Sequence, residues 1–310
     1  MDLKNSTYKL AVSVLVTLAV TAAVGCRRAE IPEPVVETRE VRDDLGRTVN
    51  VPDKIERAIS LAPSITEMIF AVGAGDRLVG VTTYCNYPAE ASAIEKVGDT
   101  QTPNIEKIIA LKPQIVFVST ASQLEAFTKT LEEQGIAVFV SNAKSLHEVF
   151  QTMLHLGELF GTKEKAEELV THLTGRASLV RHMNSFVEPR AERKIFTRVF
   201  VQISNDPLFT IGKDSFLTEV LEYSGGVSVT KDIPTAYPKV SKETALALNP
   251  EVIILSDSED NKEPNSVFRN SGAVKNGRVY RINADIISRP GPRLVDALEE
   301  IAGARASAAA

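Results

Sequence analysis

The sequence predicts an α/β protein of two α/β lobes with central, mostly parallel sheets, joined by one long backbone helix. Three observations carry this. Strand and helix patterns alternate in two separate sets, a strandless helical stretch lies between them, and one segment of the first set recurs in the second.

In the first set, 58–61, 78–82, 115–119 and 137–141 are short β-branched or apolar runs. Between them 65–72, 105–111 and 124–134 carry helical spacing. Ahead of them, Asp44-Leu45-Gly46-Arg47 reads as a tight turn feeding a short hairpin over 48–51. The second set has strands at 195–204, 252–256 and 279–284, and helices at 215–223 and 242–248. In the stretch between, Leu146, Val149, Phe150, Met153 and Leu154 recur at helical spacing up to Phe160, and Gly161 breaks the pattern. From Lys163 to about Phe186 it resumes without a proline; some 24 helical residues reach roughly 36 Å, enough to link two lobes as a strut. The segment 256–270 is polar and charged and reads as a surface loop, and 302–310 as a frayed tail.

The repeat is Glu106-Lys-Ile-Ile-Ala-Leu-Lys-Pro113-Gln-Ile-Val-Phe-Val-Ser119 against Glu243-Thr-Ala-Leu-Ala-Leu-Asn-Pro250-Glu-Val-Ile-Ile-Leu-Ser256. Glu, Ala, Leu, Pro and Ser coincide without a gap, 137 residues apart. Each copy is a short helix that stops at Leu-x-Pro, because proline disfavours helix in the residue before it, and a buried strand follows.

At the N-terminus, Lys4 and Lys9 precede an uncharged apolar run from Leu10 to Gly25. The run is short for a membrane span, which needs about 20 residues, and suits a secretory signal. It ends in Ala23-Val24-Gly25-Cys26, which resembles a bacterial lipobox and makes Cys26 the expected lipidation site. The expected organisation is a signal peptide over 1–25, a Pro- and Glu-rich tether over 26–42, an N-terminal lobe over 43–144, connecting helices over 145–187, a C-terminal lobe over 188–305 and a disordered tail over 306–310. The bulk of the chain then lies in the periplasm or at the cell surface, attached to the membrane through the lipid.

Without 1–25 the chain holds 33 basic and 39 acidic side chains, a charge of −6, with no basic block. Nucleic acid is thereby excluded as an expected partner, since phosphate neutralisation needs clustered Lys or Arg. Lipidation of Cys26 leaves Cys85 as the remaining cysteine of two, so no intramolecular disulfide is expected.

Several segments taken together resemble the helical-backbone substrate-binding proteins for ferric siderophores, haem and cobalamin, which serve ABC importers. They are Asp44-Leu-Gly-Arg-Thr-Val-Asn-Val-Pro52, Ile59-Ser-Leu-Ala-Pro-Ser-Ile-Thr-Glu67 and the Leu-Lys-Pro113 turn. Val79-Gly-Val-Thr-Thr-Tyr-Cys-Asn-Tyr-Pro88 and Tyr237-Pro-Lys-Val-Ser-Lys-Glu243 look most like the cobalamin branch. The resemblance implies a ligand cleft between the lobes, modest closure and no enzymatic activity. It implies a bound corrinoid of cobalamin type, or alternatively a ferric siderophore or haem, and no further cofactor. It also implies a monomer that delivers its chelate to a permease dimer with ATPase subunits.

Carried over position by position, the resemblance puts permease docking on Glu106 and Glu243, the residues that open the two repeat copies. It puts ligand contact on Tyr84, Phe209, Tyr237, Asp285 and Arg289: aromatics to stack on a flat macrocycle, Asp285 to accept amide hydrogen bonds, Arg289 to meet a phosphate or amide. The chain departs from the branch in having no Trp; Thr100 and Ser119 stand where two would be expected and Tyr237 replaces another.

His147, His155, His172 and His182 all fall in the connecting helices, read as exposed, and no His/Glu/Asp spacing suggests a metal site. Cys85, beside Tyr84, stays open between a packed small hydrophobe, a metal-contacting thiolate and a nucleophile. Gly-x-Ser-x-Gly, P-loop and Rossmann glycine patterns are absent.

Overall fold

Both lobes are built on a four-stranded parallel sheet, and the two sheets share one strand order. In the computed structural model, which describes residues 37–120, 125–185 and 197–309, the N-terminal sheet comprises β3 (Ala58–Ser60), β4 (Leu78–Val81), β5 (Ile115–Ser119) and β6 (Ala137–Ser141). They lie in the order β4-β3-β5-β6. The C-terminal sheet comprises β7 (Thr197–Gln202), β8 (Gly226–Ser228), β9 (Val252–Asp257) and β10 (Val279–Asn283), ordered β8-β7-β9-β10. Each sheet therefore runs second, first, third, fourth, which is what the duplicated sequence requires. Residues 1–36, with Cys26, the signal segment and most of the expected tether, lie outside the described residues, as do 121–124 and 186–196.

The helices of the N-terminal lobe are α1 (Pro63–Ala71), α2 (Ile105–Ala110) and α3 (Glu125–Glu133). Two connecting helices follow, α4 (Leu146–Phe160) and α5 (Lys163–Ser185). Gly161 separates them in a left-handed conformation, φ 71°. Gly157 packs so closely on Ala166 that any side chain there would overlap it. With 23 residues, α5 is about 35 Å long. The C-terminal lobe adds α6 (Phe216–Tyr223), α7 (Lys242–Leu248), α8 (Gly272–Lys275), α9 (Ala284–Ile287) and α10 (Leu294–Ala309).

The repeat copies match in local detail. Asn104 caps α2 by accepting from Lys107 N, and Ser241 caps α7 by accepting from Thr244 N. Each helix then ends at a non-glycine residue with positive φ directly before proline, Lys112 at 48° and Asn249 at 39°.

Three expectations need correction. The tether does not extend to residue 42, because Thr38–Arg42 forms β1, paired antiparallel with β2 (Thr48–Pro52). Its pairing is secured from outside the strand: Arg39 donates to the carbonyls of Glu158 and Leu159 at the end of α4. The segment 256–270 is no plain surface loop, since Asn261 is buried. Its amide nitrogen donates to the carbonyls of Gln202, Ile203 and Ser256, while Gln202 Nε2 donates back to its oxygen at 2.6 Å. The tail is helical: α10 runs to Ala309, and the buried Arg305 donates to Ser224 O at 2.8 Å and to Asn184 Oδ1.

A single hydrophobic cluster runs from the N-terminal lobe (Ile65, Met68, Ile69) through the connecting helices (Val149, Met153, Leu173) into the C-terminal lobe (Val199, Leu217, Leu298). Smaller clusters fill the outer face of each sheet, around Val116 in one lobe and Ile253 in the other. Among the described residues no helix is long and apolar enough to cross a membrane.

Candidate ligand cleft

Parallel strands point their C-terminal ends the same way, and the loops leaving those ends are where open α/β sheets take ligands. In the N-terminal lobe these loops bring Tyr84 (after β4), Ser119 and Thr120 (end of β5) and Asn142 (after β6) to one cavity of about 740 Å³. The C-terminal lobe supplies Ser215 and Phe216 at the start of α6, Tyr237, and Asp285 and Arg289. Four of the five expected ligand contacts thus line one space. Thr100 and Ser119 line it too, so the positions expected to differ from the cobalamin branch face the cavity.

The two tyrosines stand out. Tyr84 is 57% exposed and Tyr237 40% exposed, although both are large rings that a core would cover. They come from opposite lobes. The Tyr237 hydroxyl pairs with Ser215; burial pushes the phenol above its ordinary value, with the Ser215 hydrogen bond working in the opposite direction. Thr235, two residues earlier, has φ 114°, an outlier for a β-branched residue. The same segment lies on Gly212, where an added Cβ would overlap the carbonyls of Ile233 and Thr235.

Phe209, the fifth, is half-buried and is not among the residues lining the cavity. Its backbone exchanges hydrogen bonds with Ser204 and Ile203 and bridges to Lys239. That pairing braces the Tyr237 segment from behind. Cys85 is settled as well. Its thiol is buried, with Thr66 Oγ1 at 3.1 Å and Thr82 Oγ1 at 3.2 Å, and so faces the packing between α1 and β4, not the cavity.

Asp285 and Arg289 line the cavity, yet much of their bonding capacity is used within the protein. Arg289 Nη1 donates to Glu67 Oε1 and to Asn86 Oδ1, both at 2.9 Å. Its Nη2 donates to Asp285 Oδ1 at 2.6 Å and to Tyr84 O at 3.3 Å. Asn86 Nδ2 donates to Asp285 Oδ2 at 2.8 Å. Glu67, Asn86 and Arg293 were missed as site residues in the sequence reading; the spacing Arg289-Pro-Gly-Pro-Arg293 was the available signal.

The loop carrying Thr100 and Gln101 turns on Asp99. Its carboxylate accepts from Thr102 N at 2.6 Å, Gln101 N at 2.7 Å and Thr102 Oγ1 at 3.0 Å. These bonds, Thr102 N foremost, hold its pKa below the ordinary carboxylate value.

Away from the cleft, Glu106 and Glu243 are exposed in the first turns of α2 and α7. Glu243 is kept below the usual carboxylate range by its own backbone N–H and by Ser241. All four histidines are exposed on α4 and α5. Among the described residues no group of three or more His, Cys, Asp or Glu stands together as a metal site.

Residues 59–286 match the family model described as periplasmic binding protein. An uncharacterised ABC transporter substrate-binding lipoprotein of Bacillus subtilis is 34% identical over 84% of this chain and 83% of its own length. A vitamin B12-binding protein of Vibrio cholerae is 32% identical over 81% of this chain and 89% of its own. The crystal structure of a periplasmic vitamin B12-binding protein of Vibrio cholerae superposes with a TM-score of 0.71 at 31% identity, covering 83% of this chain and 99% of that one. Sequence, duplicated lobes and cleft agree: the chain belongs to the periplasmic binding protein family, whose members bind solutes outside the cytoplasm.

Proposed function

We propose that this protein is the solute receptor of an ABC importer and that its solute is a corrinoid of the cobalamin type. The observation that carries the reading is the pair of exposed tyrosines, Tyr84 and Tyr237, on opposite lobes of a cavity of about 740 Å³. A ring that no core covers is available to stack, and two rings from two lobes suit a flat macrocycle. Names of relatives over most of the chain point the same way. Glu106 and Glu243, on equivalent helices of the two lobes, are the docking carboxylates for a two-fold permease. Cys26 is the acylated residue that keeps the receptor at the membrane.

Calorimetry of the purified protein against cyanocobalamin, cobinamide, haem and a ferric hydroxamate tests the ligand. Saturable binding of either corrinoid is expected. Binding of haem or the ferric chelate with neither corrinoid would overturn the corrinoid assignment and leave the family intact. For the anchor, globomycin should leave uncleaved precursor in cells, and normal processing under the drug would count against acylation of Cys26.

A further inference from the structure

Five side chains, two of which line the cleft, form one hydrogen-bonded network, and almost every bond in it crosses from one lobe to the other. At its centre is Glu67 on α1, whose side chain is only 1% exposed. Arg293 grips it with two hydrogen bonds, Nε to Oε2 at 2.9 Å and Nη2 to Oε1 at 2.6 Å. Arg289 adds a third at 2.9 Å. The same two arginines hold the Tyr84–Tyr87 segment: Arg289 bonds Tyr84 O and Asn86 Oδ1, and the Arg293 guanidinium lies 4.1 Å from the centre of the Tyr87 ring. Asp285 completes the set through Asn86.

We propose that Glu67 is a positioning residue for ligand capture: with Arg289 and Arg293 it pins the C-terminal lobe onto the N-terminal lobe and so sets the pose of the loop that carries Tyr84. The proposal rests on the cleft being the ligand site. A buried carboxylate is costly unless fully paired, and pairing of this kind rarely adds net stability over apolar packing. What three directed bonds to one carboxylate do supply is geometry. The planar guanidinium of Arg293 fixes angle as well as distance, which a lysine cannot do. The two arginines lie four residues apart across Pro290-Gly291-Pro292, and backbone at Gly291 passes against Ser64 and Glu67. The fork therefore arrives at α1 on a stiff support. Within its own lobe the loop is held on either side of Tyr84, by Thr83 N donating to Gly98 O and by the buried Cys85, whereas Tyr84 has an exposed ring and its carbonyl takes a bond from the opposite lobe.

The test compares the full chain with Glu67→Gln, Glu67→Asp and Arg293→Lys, using two readouts. The first is amide hydrogen exchange of residues 83–87 without ligand. Glu67→Gln should speed it tenfold or more while exchange in β5 and β9 stays as in the parent, and Glu67→Asp should recover part of the protection. The second is cyanocobalamin affinity, expected to weaken at least tenfold in Glu67→Gln, chiefly through faster dissociation. Unchanged exchange at 83–87, or an equal rise throughout the chain, would overturn the proposal, the latter by showing a general loss of stability. Should Glu67→Gln not fold, Arg293→Lys keeps both charges and carries the same expectation in milder form. If the parent binds no cyanocobalamin, the corrinoid reading has failed, and the exchange readout still decides the bridge.

Discussion

Tyr237 owes its position to two residues that never touch the cavity wall as rings do. Gly212 gives the 233–237 segment room to lie flat, and Thr235 accepts a strained φ of 114° so that the next residues turn toward the cleft. Stacking contributes about 0.5–1.5 kcal/mol per aromatic beyond the area buried, so Tyr237→Ala is expected to weaken cyanocobalamin binding about tenfold in calorimetry. Tyr84→Ala should act in the same range, and the double variant should be weaker than either; an unchanged affinity in the double variant would remove both rings from the site. Asp99 acts through charge. Its pKa lies below the unfolded value, so its contribution to ordering Thr100 and Gln101 is present above the ordinary carboxylate pKa and is lost as pH falls through the lowered one. The Thr102 amide resonance, followed by NMR from about pH 6 to 2, should inflect below the usual Asp value of about 3.9. An inflection at or above that value would contradict the turn described here.

At the scale of elements, the repeat makes α2 and α7 the same object on two lobes, down to the cap, the exposed glutamate and the left-handed residue before proline. Nothing in either glutamate's surroundings calls for a buried role. The double change Glu106→Ala and Glu243→Ala is expected to abolish uptake by cells while cyanocobalamin affinity stays within about threefold, under ~1 kcal/mol. A large affinity loss would place these carboxylates in ligand capture instead. The repeat was readable because it is local: a helix, a proline and an apolar strand within fourteen residues. Elements that depend on partners elsewhere were not. In β1 Val41 is the lone apolar residue, and the strand exists through β2 and the anchoring of Arg39. The three-residue β8 begins at a glycine, and α10 looks like a low-complexity tail until Arg305 is seen under Ser224. The cleft divides the same way. Tyr84 and Tyr237 sit in short recognisable segments, whereas Glu67 and Arg293 meet across 226 residues and no local pattern links them. Phe209 shows the converse, because in sequence an aromatic near a loop looks alike whether it faces a cavity or braces a neighbouring segment.

Taken whole, the molecule is two lobes that share a core. One apolar cluster passes from α1 through α4 and α5 to α10, so separating the lobes would expose buried surface at about 25 cal/mol per Å². Arg176 on α5 adds bonds to Asp296 and Glu299 on α10 at 2.6–2.9 Å. These acidic partners are more than a third exposed, so the contribution is small and is one of alignment. The Glu67 bridge adds a second set of bonds between the lobes. Hinge closure of the kind seen when two lobes are linked by loops alone needs a joint that bends without breaking packed contacts, and this joint has none to spare. Ligand capture is then expected to move the lobes by only about 1 Å, as in other pre-organised sites. Spin labels on exposed helix positions of the two lobes, at Lys129→Cys and Lys275→Cys in a Cys26→Ser background, allow the distance to be measured by pulsed dipolar spectroscopy. Cys85 is buried and should not react with the label. Superimposable distance distributions with and without cyanocobalamin are expected. A ligand-induced shortening of several ångströms would show that the shared core yields after all, and that the stiffness attributed to α4, α5 and Glu67 lies elsewhere.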